Sequence, residues 1–120
     1  MLQSQQAITN WEMFISEDLG QYNEAKRNYE KALVIRRKIF REEHADLFES
    51  YNNLGNVSNA LGQYTEAIEN YKKALTNSKK IFGEDHAAVA TSYNNLASAY
   101  HNLGQHNEAK QNYEKALIIA

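Results

Sequence analysis

The sequence predicts an all-α fold: a solenoid of helix-turn-helix repeats with about three helix pairs, the first atypical. Three observations predict it. Words recur at a fixed step of 42 residues: LGQ stands at 19–21, 61–63 and 103–105, YNNL at 51 and 93, and KIF at 38 and 80. Within each copy, apolar residues recur at steps of three, four and seven, the spacing of one helical face. No stretch alternates as a half-buried strand would. A fixed period of this size marks stacked copies of one supersecondary unit. The 120 residues therefore read as a single array, with an atypical first unit at about 1–41, a second at about 42–83 and a truncated third at about 84–120.

The N-terminal segment carries its own stripe, Ile8, Trp11, Ile15 and Leu19. It predicts a first helix rotated relative to the later ones, with Trp11 packed inward as a cap. In the alternative, Trp11 lines a groove at the register of Asn53. The closing helix of the first unit follows, on Tyr22, Ala25, Tyr29, Ala32, Leu33, Ile39 and Phe40. The second unit opens on Leu47, Tyr51, Leu54, Ser58 and Leu61 and closes on Tyr64, Ala67, Ile68, Tyr71, Ala74, Leu75, Ile81 and Phe82. The third opens on Val89, Tyr93, Leu96, Tyr100 and Leu103 and closes on His106, Ala109, Tyr113, Ala116 and Leu117. Within a unit LGQ makes the turn, with Gly62 and Gly104 supplying backbone angles that a tight turn requires. Small residues such as Ala67 and Ala74 let the helices approach, and the tyrosines fill the space between pairs.

The two junctions between units differ. The second, KIFGEDHAAV at 80–89, contains Gly83, whereas the first, KIFREEHADL at 38–47, has Arg41 in its place, and neither contains Pro. Arg, Glu and Ala are good helix formers. Nothing local then stops the helix holding Tyr22–Phe40 from running on into the one holding Leu47–Leu61. Such a fused helix would let two chains exchange repeats.

The phrases Y-x-x-L-G-x-x-S followed by A-x-x-x-Y at 51–71, and Y-x-x-L-A-x-x-Y followed by A-x-x-x-Y at 93–113, resemble the tetratricopeptide repeat signature. The 42-residue period, DHAAVATSYNNLASAYHNLGQ and YEKAL are similar to the longer variety of kinesin light chains and nephrocystin-like proteins. The resemblance covers 20–120 and implies a right-handed superhelix. Two departures stand out. Ala45 and Ala87 replace the Pro that usually follows the His opening each unit, and Thr9, Glu12, Met13 and Ser16 sit where Tyr51, Leu54, Gly55 and Ser58 should align.

Composition excludes several classes. Lys and Arg number 13 against 15 Asp and Glu, so no basic face for nucleic acid is expected. Cysteine is absent, which removes disulfides and Cys-ligated metals. The start MLQSQQAITN lacks a basic end and an apolar run, and no stretch approaches the ~20 apolar residues of a membrane span. A soluble cytoplasmic protein with no membrane contact is the default expectation. His44 and His86 share one repeat position at a helix start, while His101 and His106 lack a third ligand at useful spacing. The acidic pairs precede helices and the basic runs close them, as helix dipoles favour. No cofactor, no metal and no enzyme activity are expected.

The face of each opening helix that remains outside the core is rich in amides. It carries Glu49, Asn52, Asn56 and Asn59, flanked by Asn53, in the second unit; in the third it carries Thr91, Asn94, Ser98 and His101, flanked by Asn95 and Asn102. In stacked helix pairs the opening helices line the concave surface. The resemblance implies that this surface holds peptides, so the expected binding residues are Asn52, Asn53, Asn56, Asn59, Asn94, Asn95, Ser98 and His101. An Asn amide offers donors and an acceptor at one tip, enough to pair with an extended backbone. Lys and Arg are missing from 42–71 and 81–109, so no carboxylate clamp is expected there. The function expected is an interaction scaffold for a protein or peptide partner. The alternative is a structural fragment that self-associates as a homo-oligomer through a swapped helix or through the exposed apolar end at ALIIA.

Overall fold

The computed structural model describes residues 2–41 and 43–119, with side chains from 19 onward. It contains five helices: α1 Leu2–Ile39, α2 Ala45–Ala60, α3 Tyr64–Phe82, α4 Ala87–Leu103 and α5 His106–Ile119. Among the described residues there is no strand. Each helix packs on the next in sequence, so the layers follow the chain. A 38-residue helix is about 57 Å long at 1.5 Å per residue. That length alone accounts for the 59 Å long axis of the molecule.

The core sits between α3 and α4, where Ala67, Ile68, Tyr71, Leu96 and Ala99 are buried together and Leu75 and Tyr100 pack against them. Ala67 and Ala74 are wholly buried, which lets helix backbones close on one another. The two intra-unit turns are built alike. Gly62 and Gly104 have φ of 77° and 89°, open to Gly at no steric cost. Behind them Gln63 N–H donates to the Ser58 carbonyl and Gln105 N–H to that of Tyr100, closing each helix end.

The first unit departs from this plan. Instead of a helix pair turning at 19–22, Leu19, Gly20, Gln21 and Tyr22 continue one helix. The reason lies in the register. Gly55 of α2 sits so close to α3 that a Cβ there would meet the Tyr71 ring at 2.5 Å. Forty-two residues earlier, Met13 takes the place of Gly55 and Tyr29 that of Tyr71. Glu12 likewise takes the place of Leu54, which is buried. Folding back would drive Met13 into Tyr29 and bury a carboxylate without a partner, both costly. A straight helix avoids both at the cost of one helical Gly, about 1 kcal/mol. The inward packing of Trp11 concerns a side chain outside the described residues.

Fusion across the first junction does not occur. The helix ends at Ile39 and a new one starts at Ala45, although Arg41 is no helix breaker. The break is held by His44, whose Nδ1 accepts from Asp46 N–H at 3.0 Å and whose ring stacks on Phe40, with centroids 3.8 Å apart. His86 repeats both contacts, accepting from Ala88 N–H and stacking on Phe82. The repeated histidines are helix caps, and the cap overrides the helix propensity of 41–43. Within the single chain, α1 and α2 are therefore separate helices across this junction.

Candidate functional site

The helical phase of α2 and α4 turns two rows of polar side chains away from the core. Asn56, Asn94 and His101 are exposed; Asn52, Asn53, Asn59, Asn95 and Ser98 are half-buried. The C-terminal ends of the two helices are tied by Asn102 Nδ2, which donates to Asn59 Oδ1 at 3.0 Å. That bond joins the rows into one surface spanning two repeats.

Not every expected residue is free on it. Asn56 Oδ1 accepts from the Tyr71 hydroxyl, and Asn59 is engaged by Asn102. Asn53 lines a cavity of about 220 Å³ between α1 and α2, with Tyr22, Ala25, Tyr29, Asn56 and Val57. It faces the preceding closing helix. Asn52 keeps its Oδ1 buried without a hydrogen-bond partner. The Asn94 side chain makes no hydrogen bond to a described residue. The His101 and His106 rings lie 5.0 Å apart across the second turn. Among the described residues, no three His, Asp or Glu side chains gather where they could hold a metal ion.

Electrostatics separate this surface from the rest. The cations of α3 and α5 lean over tyrosines of the opening helices: Lys73 over Tyr51 at 5.7 Å, Lys72 over Tyr100 at 5.9 Å, and Lys79 and Lys115 over Tyr93 at 5.3 and 5.7 Å. Cation–π contacts of this length keep an ammonium without a carboxylate partner. Lys26 of α1 pairs with Glu66 at 2.7 Å and also donates to Gln63, bridging α1 to the start of α3. Tyr71 is 3% exposed, and burial pushes its phenol up to about 12. It stays neutral and serves as a fixed donor to Asn56.

Sequence reasoning passed over one group. Arg37, Tyr51, Lys72, Lys73, Thr76 and Asn77 line a second cavity of about 300 Å³. The signal was present: YEKAL at 29 and 113 is YKKAL at 71.

Comparisons with known proteins agree with this architecture. Two tetratricopeptide repeat profiles match the chain, one over residues 46–120 and the other over 15–46. The solved crystal structure of BtubC (BKLC) from P. vanneervenii is similar, with a TM-score of 0.79 and 32% identity over 83% of this chain. The match spans 39% of that protein's chain. A search of curated proteins gave no significant match. Among the described residues, no helix is long and apolar enough to cross a membrane.

Proposed function

This chain belongs to the tetratricopeptide repeat family, whose repeats generally mediate protein–protein interaction, and from that premise we propose that it is a binding module rather than an enzyme, holding an extended peptide along the amide face of α2 and α4. One observation carries the proposal: a continuous polar surface across two repeats, tied by the Asn59–Asn102 bond, on helices that hold no Lys or Arg. Such a face suits neutral or basic segments and reads backbone amides. Asn52 and Asn94 stand at equivalent positions one repeat apart. The test is a titration of fluorescent neutral and basic peptides against the chain and against Asn52→Ala/Asn94→Ala. The double variant should bind roughly tenfold more weakly, the loss of about one hydrogen bond's net worth, with Tm nearly unchanged. Unaltered binding would reject the groove.

A second reading, self-association, is favoured by apolar side chains exposed on α1 and α5. Val34, Ile35 and Ile39 of α1 and Leu117 and Ile118 of α5 are all more than half exposed. Light scattering at rising concentration separates the readings, since a strict monomer that binds peptide supports the first alone.

A further inference from the structure

Each closing helix carries a version of one seven-residue word. Residues 29–35 read YEKALVI and 113–119 read YEKALII, but 71–77 read YKKALTN. Lys72 thus stands where the other copies have Glu30 and Glu114. Thr76 replaces Val34 and Ile118, and Asn77 replaces Ile35 and Ile119. All three departures line the 300 Å³ cavity, beside Arg37 at the end of α1 and Tyr51 of α2.

The fold makes this cavity twice. At the same register one repeat on, Lys79, Tyr93, Lys115, Ile118 and Ile119 line a cavity of about 210 Å³. There Ile118 and Ile119 stand where Thr76 and Asn77 line the first cavity, and Glu84 and Asp85 also line it beside the two lysines. The first cavity is lined, among the described residues, by three cations, Tyr51, Thr76 and Asn77, with no carboxylate; Glu42, at the register of Glu84, lies outside them. Among the described residues no carboxylate pairs with Arg37, Lys72 or Lys73.

Asn77 supplies an independent sign. It is 6% exposed, and its Nδ2 is buried without a hydrogen-bond partner. A buried amide left unpaired is unfavourable, and such a group in a folded protein calls for a partner such as water or an ion. As placed, the side-chain amide makes no hydrogen bond to a described residue. A half-turn about χ2 would exchange the two ends of the amide, turning its NH₂ toward the cavity and leaving the carbonyl oxygen in the buried position.

We propose that this cavity binds a phosphate-class oxyanion. Arg37 offers the planar fork that matches phosphate oxygens, Lys72 and Lys73 supply compensating charge, and Asn77 donates from the floor. Three cations favour a dianion over a lone carboxylate. Its proposed anion-binding side chains belong to α1 and α3, and it does not depend on the amide face of α2 and α4.

The experiment is a titration of ¹⁵N-labelled chain with inorganic phosphate, against chloride at constant ionic strength. The expected result is a saturable shift of the Asn77 side-chain NH₂ and of amides 72–77, with none at 115–119. Arg37→Gln should weaken binding at least about tenfold. Lys72→Glu, which restores the residue of the other copies, should do the same, and Lys79→Gln should leave binding unchanged. Asn77→Ile should lose affinity while raising Tm, a pair of signs that a purely structural role would not give. A serine-phosphorylated peptide distinguishes the source: tighter binding than inorganic phosphate marks a modified partner, equal binding a free anion. A non-saturable response, equal shifts at 115–119, or equal loss on Lys79→Gln overturns the proposal, leaving only diffuse surface charge.

Discussion

The tetrapeptide LGQY occurs at 19–22 inside α1 and at 61–64 in the turn before α3. Its two glycines provide a matched pair, because a Cβ added at Gly20 or at Gly62 meets nothing within 4 Å. Only the backbone differs. Gly20 is helical, so Gly20→Ala should stabilise by roughly 1 kcal/mol, the propensity gap between the residues. Gly62 has φ 77°, so Gly62→Ala should destabilise by roughly 1–2 kcal/mol. The two variants should differ by about 2–3 kcal/mol in sequence contexts that are locally identical. In a domain of this size that separates their Tm values by about 8–12 °C. Because solenoids unfold in pieces, amide exchange at Gln21 and Tyr22 should be read beside the melting curve. Protection there should rise in Gly20→Ala. A Gly20→Ala variant that loses stability as Gly62→Ala does would mean that the first unit folds back at 19–22, and the steric argument from Glu12 and Met13 would fall.

Two further outcomes follow from the packing of Tyr71. Gly55→Ala places a Cβ 2.5 Å from its ring and should cost about 1–3 kcal/mol before the helix-propensity gain of about 1, so urea midpoints should fall or hold, never rise as in Gly20→Ala. The phenol of Tyr71, raised to about 12 from an ordinary 10, holds its proton more firmly folded than unfolded; its contribution is whole below pH 10 and is lost as pH rises toward 12, by up to about 3 kcal/mol. Chemical denaturation at pH 9 and at pH 12 should therefore show a steeper loss for the native chain than for Tyr71→Phe, and parallel losses would contradict the burial argument.

Much of the fold is legible because a repeat writes its contacts many times. The stripes through Leu47–Leu61 and Val89–Leu103 set α2 and α4, and Gly62 and Gly104 set the turns that follow them. The straightness of α1 is not legible in LGQY itself, which takes both conformations. We explain it by what residues at the register of Leu54 and Gly55 would meet if the unit folded back, which LGQY does not contain. The junction at 40–44 misleads for a related reason: propensity favours helix through Arg41 and Glu43, but His44 caps α2 and stacks on Phe40. The polar face of α2 and α4 follows from helical phase alone. The hydrogen bonds of Asn56 to Tyr71 and Asn59 to Asn102 do not, since they join side chains 15 and 43 residues apart.

The repeats also act as internal controls, and they separate what folding requires from what it merely tolerates. Phe stacked on His, Gly in the intra-unit turns and Ala at 67 and 109 recur wherever the same contact recurs. These positions answer to packing. Residues 72, 76 and 77 answer to something else, because both other copies of the word build the same helix with Glu and two apolar residues. Putting Asn in place of Ile at a position only 6% exposed works against the core, and setting Lys beside Lys works against the surface. Each change alone would read as drift between copies. Their convergence on one cavity, beside an Arg37 that pairs with no carboxylate among the described residues, is what makes a shared ligand the economical explanation, and it is why restoring any one of them should weaken binding of that ligand while leaving the helix intact.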